Sequence, residues 1–149
     1  MNNIICKKNI NYKETDKLLK ISLSNNQFTN YGPNVQLLEK IIKEKLQIDD
    51  TKSVIVVNNG STAIHLLVKG IMYVEKKNIN WATQSFTFPP SCQEILSSAK
   101  ILDIDHHGGI NLDEVDNTIG GIIVTNIFGN VVDINKYTNW AKKNNKFVI

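Results

Sequence analysis

From Ser53 onward, short apolar runs rich in β-branched residues alternate with stretches of helical periodicity, and this alternation restricts the architecture more than any other feature. The runs are Ser53–Val57 (SVIVV), Ile79–Thr83, Lys100–Ile104, Gly121–Asn126 (GIIVTN) and Phe147–Ile149. Runs of this length and character suit strands buried on both faces. Helices between such strands act as crossovers, so the expected fold is α/β, a three-layer α/β/α arrangement around a largely parallel sheet. The first crossover helix should run from Ser61 to Glu75, with Ala63, Leu67, Gly70, Ile71 and Val74 on one face. A second should open at Pro89-Pro90 and reach about Ala99. A third should span Ile134–Lys143, with Ile134, Tyr137 and Ala141 turned inward. Upstream, a short helix is expected around Glu14–Ile21. Gly32-Pro33 should open a longer one, because Leu37, Leu38, Ile41, Ile42 and Leu46 recur at helical spacing. The chain therefore divides into an N-terminal segment, residues 1–30, and a main domain, residues 31–149.

The 149 residues are enough for one domain with a sizeable core. All 17 basic residues are Lys, scattered along the chain, and the net charge of +3 is too small to point to nucleic acid. With no Arg, an anion site here must use Lys, hydroxyls or backbone N–H groups instead of a bidentate guanidinium. Cys6 and Cys92 lie far apart with no CxxC, so neither a disulfide framework nor a zinc site is expected. The opening MNNIICKKNI lacks the layout of a signal peptide, and no apolar run is long enough to span a membrane. The expected setting is cytoplasmic.

The most informative stretch is VIVVNNGSTAIHLL, Val54 to Leu67. A strand is expected to end in Asn58-Asn59-Gly60 and turn directly into a helix opening Ser61-Thr62. The unpaired N–H groups of a helix start, aligned with its dipole, attract anions. Gly60 allows close backbone approach or a positive φ. Ser61 and Thr62 can each add a hydroxyl. The same segment also reads as an ordinary helix N-cap. Neither GxGxxG nor GxxxxGK[ST] is present.

Five blocks, in order, carry a resemblance: NYGPNVQLLEKIIKEKL, NNGSTAIHLL, QSFTFPPS, AKILDID with NLDEV, and VTNIFGNVVDI. Together they resemble the DegT/StrS family of pyridoxal-phosphate (PLP) enzymes, most of which aminate keto sugars carried on nucleotides. The resemblance runs from about Asn30 to Ile149. It implies the incomplete large domain of a fold-type I PLP transferase, with PLP as cofactor, a nucleotide-linked keto sugar as acceptor and glutamate as donor. It places Gly60, Ser61 and Thr62 at the cofactor phosphate and Phe88 on the face of the pyridine ring. Ser61 stands where Thr is commoner, Asn126 where His is frequent, and Pro89-Pro90 where small residues are usual. Without the resemblance, Phe88 reads as plain core. Asp103 and Asp105 match a structural D-x-D after a strand and are not expected to form a catalytic acid pair.

His65 reads as structural. His106 and His107 read as loop surface with diverging side chains, and no metal site is expected from them. The family needs an Asp for the pyridinium nitrogen and a Schiff-base Lys, and no residue in this sequence matches either, so no catalytic residue is assigned. The chain alone is therefore expected to be inactive. Other readings are a non-catalytic remnant, a Rossmann-like nucleotide- or anion-binding module, or a family dehydratase that uses His in place of the Lys. The resemblance implies a homodimer. The apolar strand from Phe147 should also seek a partner, either a second copy or a complementary C-terminal half.

Overall fold

The computed structural model describes residues 9–149; Cys6, Lys7-Lys8 and the rest of the opening octapeptide lie outside the described residues. Two compact units meet in sequence between Val56 and Val57.

The first unit contains α1 (Tyr12–Ser24) and α2 (Pro33–Lys45). Asn11 caps α1 by accepting from the Glu14 N–H. Pro33 occupies the first turn of α2, where its missing N–H costs nothing. Asn34 ties the helices together, donating to Leu18 O at 2.8 Å and Ser22 Oγ at 2.9 Å. Glu39 accepts from the Tyr31 hydroxyl at 2.9 Å and the Val56 N–H at 2.9 Å.

The expected strand Ser53–Val57 does not form. The segment pairs with no described strand, and Ile55 is 76% exposed. Apolar β-branched composition suits a strand, but the ladder itself needs a neighbour, and the four strands present pair only with one another.

The second unit is the sheet and its helices. β1 (Trp81–Gln84), β2 (Lys100–Leu102), β3 (Gly121–Ile123) and β4 (Phe147–Val148) form a parallel sheet in the order β2-β1-β3-β4. α3 (Gly60–Glu75) and α4 (Ile134–Asn144) cover opposite faces. The α3 face buries Trp81, Ile123 and Leu96 against Val68, with Ile64, Ile71 and Met72 beside them. The α4 face buries Ala82, Ile122, Leu102 and Ile110 against Tyr137, with Trp140 beside them. This alternation along β1 and β3 is the period-two pleat of a strand buried on both sides. It bears out the α/β expectation.

Three local expectations are corrected. Leu67 and Val74 of α3 face solvent, and the inward stripe is Ile64, Val68 and Ile71-Met72. This helix is apolar almost all round, so periodicity alone could not choose the face. Ile134 of α4 is exposed, whereas Tyr137 and Ala141 are buried as expected. The helix expected from Pro89 to Ala99 is two 3-10 turns, Pro89–Cys92 and Glu94–Leu96. Gln93 is extended between them and Glu94 sits at φ +50°, a left-handed value that breaks an α-helix.

Candidate functional site

The loops that leave the carboxyl ends of β1, β2 and β3 converge, and in parallel α/β sheets ligands bind at this end. β1 runs into Ser85–Phe88. Ser85 continues the pairing with β2 by donating its N–H to Leu102 O at 2.7 Å. Thr87 Oγ1 lies 2.9 Å from Thr125 Oγ1 and 3.2 Å from Ser91 Oγ. The backbone of this loop is thus anchored, while the rings it carries are not covered.

Phe88 is 71% exposed, which overturns its reading as plain core. Phe86 is also exposed and meets Phe128 edge to face, with ring centroids 6.0 Å apart at 65°. Phe128 itself lies at φ +53°. Asn126 Oδ1 accepts from the Val132 N–H at 3.3 Å, which shapes the loop after β3.

The start of α3 takes the N-cap form expected of the Asn58–Thr62 stretch. Asn59 is the N-cap, accepting from the Thr62 N–H at 2.8 Å, and the Ala63 N–H reaches Asn59 O at 3.2 Å. Among the described residues, the Gly60 and Ser61 N–H groups and the Ser61 and Thr62 hydroxyls have no protein partner. No acidic side chain lies in this first turn. Gly60 is not in the left-handed region, so the positive φ allowed for it is not used. A Cβ there would meet nothing within 4 Å. The space beside Gly60 is open, and four donors there have no partner among the described residues. This donor set fits a phosphate monoester dianion.

His65, one turn further along α3, links the cup to the aromatic loop. Its Nε2 is 3.0 Å from Pro90 O, and its Nδ1 is 3.1 Å from the Glu94 carboxylate. These contacts agree with a structural role. Through them the first turns of α3 bear on the turn that directly follows Phe88. A hollow of about 310 Å³ lies here, lined by Thr62, His65, Leu66, Lys69, Glu94 and Ile95.

The Asp103/Asp105 pair divides its work. Asp103 accepts from the Ile104 N–H at 2.8 Å and lies 3.4 Å from Ser85 Oγ. Asp105 accepts from Lys136 Nζ at 2.6 Å and from the N–H groups of His107 and Gly109 at 2.9 and 3.2 Å. Burial opposes the Asp105 charge, but Lys136 and the two N–H groups outweigh it and hold the carboxyl below its usual value. Neither carboxylate faces the other as an acid–base pair would. His106 and His107 do not diverge; their ring centroids lie 3.8 Å apart, with the ring planes tilted by 45°. The tight Asp105–Gly109 turn, closed by Gly108 N–H to Asp105 O and Asp105 N–H to Gly109 O, brings them together. No group able to hold a metal ion occurs among the described residues.

A carboxylate with a lowered native pKa stabilises the fold above its unfolded pKa and loses that contribution as pH falls through the native value. Asp105→Asn should therefore lower the urea midpoint at pH 7 and leave it nearly unchanged well below the ordinary Asp pKa of about 3.9. Urea titrations at both pH values check this, and an equal loss at both would remove the ion pair as the cause.

The residue that sequence reasoning missed is Gln84. It is 1% exposed, and its side chain bonds to backbone groups of three loops. A glutamine closing an apolar strand looks the same in sequence whether it faces water or not.

Among solved structures, the aminotransferase from Psychrobacter cryohalolentis matches with a TM-score of 0.73 at 19% identity, over 97% of this chain and 37% of its own. Helicobacter pylori PseC, an aminotransferase involved in pseudoaminic acid biosynthesis, gives 0.72 at 17%, over 95% of this chain and 38% of its own. E. coli GDP-4-keto-6-deoxy-D-mannose-3-dehydratase, with bound hydrated PLP, gives 0.75 at 15%, over 97% and 39%. At these identities the likeness establishes the fold, and the chain spans well under half the length of each structure. The family model for the DegT/DnrJ/EryC1/StrS aminotransferases matches residues 9–149, and the chain belongs to that family.

Proposed function

We propose that this chain supplies the phosphate-holding and ring-facing part of a PLP-dependent aminotransferase acting on a keto sugar carried on a nucleotide. The observation that carries this reading is the start of α3: two N–H groups and two hydroxyls with no partner among the described residues, opened by Gly60, in a chain with no Arg. Gly60, Ser61 and Thr62 would hold the phosphate, and Phe88 would cover one face of the ring. When bound, PLP supplies an electron sink beside the substrate nitrogen. This chain's own part is to bind and orient it.

Pyridoxamine 5′-phosphate tests the cup directly, because it forms no Schiff base with the many lysines. A hydrogen bond to a charged group contributes about 1.5–3 kcal/mol, so Ser61→Ala with Thr62→Ala should weaken binding at least tenfold or so. Fluorescence titration of both forms measures it; equal affinities would remove the cup.

The Lys and Asp that the family requires match no residue here. The purified chain, mixed with PLP, glutamate and keto-sugar nucleotides, should form no amino sugar above a PLP-only control. Co-expression with a family segment carrying both groups should restore turnover. Turnover by the chain alone would show that another residue does the chemistry.

A further inference from the structure

The side chain that closes β1 has no part in the proposed function as stated. Gln84 ends a strand paired on both sides, with β2 and with β3. Its Oε1 accepts the Thr125 N–H at 2.9 Å, and its Nε2 lies 3.2 Å from Thr125 O. The amide pairs with the Thr125 peptide much as a further strand residue would. The same Nε2 is 2.9 Å from Phe86 O and 3.2 Å from Gly108 O. Two N–H groups serve three carbonyls, so at least one is shared. Those backbone groups belong to the loops after β1, β2 and β3, and among the described residues no other side chain bonds to all three.

The effect falls on Ser85–Phe88. Gln84 holds the Phe86 carbonyl, and Thr87 is held by Thr125 and Ser91. The loop is therefore tied at the Ser85 N–H, the Phe86 carbonyl and the Thr87 hydroxyl, yet the ring of Phe88 stands in solvent and that of Phe86 is covered only in part, by Phe128. Fixing a backbone does nothing for an uncovered apolar ring such as that of Phe88. It does matter for a flat ligand, which gains from a ring already held in place.

The geometry points to Gln84 as a positioning residue that sets Phe88 against the planar ring of a pyridoxal-type cofactor, acting through the loop and not through the α3 cup. This rests on the proposed function. The test compares two probes, pyridoxamine 5′-phosphate and inorganic phosphate, on the wild-type chain, Gln84→Met and Thr87→Val. Both variants keep side-chain volume and remove loop bonds, and Thr87→Val serves if Gln84→Met fails to fold. The wild type should prefer the pyridoxamine. In the variants its affinity should drop about tenfold while phosphate affinity stays unchanged. General destabilisation would lower both together. A folded variant that keeps the wild-type preference overturns the positioning role alone. A wild type with no preference for the pyridoxamine overturns the cofactor reading, and the positioning role with it.

Discussion

Tyr137→Ala should remove about 3–5 kcal/mol of stability, by analogy with other large aromatic truncations in cores. Tyr137 is 1% exposed and is the largest fully buried side chain among the described residues. Its ring fills the space between α4 and the strands that carry Ala82, Ile122 and Leu102. Its hydroxyl donates to Ile110 O at 3.1 Å, and burial raises the phenol pKa, so the proton stays on at neutral pH. Tyr137→Phe keeps the ring and leaves the Ile110 carbonyl without its donor, which should cost about 1–3 kcal/mol. Urea unfolding of both variants, followed by Trp fluorescence, separates packing from hydrogen bonding. If the two variants lost equal stability, the ring would be contributing nothing beyond its hydroxyl.

The second large effect couples a glycine to the same hydroxyl. Gly109 is buried, and a Cβ added there would collide with the Tyr137 hydroxyl. It would also stand 3.0 Å from the ring carbon bearing that hydroxyl and 3.1 Å from Val132 Cγ1. Gly109→Ala should thus cost about 1–3 kcal/mol through overpacking. In the Tyr137→Phe background the worst contact is gone, and the penalty for Gly109→Ala should shrink. A double-mutant cycle is expected to show coupling of about 0.5–3 kcal/mol between the two sites. Strict additivity would mean that the Gly109 backbone moves aside by another route.

The alternation of apolar runs with helical periods was enough for a parallel sheet with helices on both faces. The reason is that burial on both faces leaves its mark in composition, residue by residue. The capped start of α3 was legible in the same way, since Asn59 acts on an N–H group three residues on, whereas the caps Asn11 and Asp133 emerged only with the structure. The candidate phosphate donors Gly60, Ser61 and Thr62 were visible because they are contiguous. Contacts between distant residues were not. Ser53–Val57 has strand composition but no partner, and a ladder is a property of two segments. The buried stripe of α3 shifted from Leu67 and Val74 to Val68 and Met72, since an almost wholly apolar helix carries no internal sign of which side the sheet will cover. The rings of His106 and His107 lie close together, tilted to one another, in the closed Asp105–Gly109 turn, which adjacency in sequence cannot reveal. Phe88 reads as core by composition and stands in solvent, because its loop is pinned elsewhere, at Thr87 and by Gln84. Gln84 is the clearest case: its bonds reach Gly108 and Thr125, 24 and 41 residues away, and only the folded sheet brings those loops within reach of one amide.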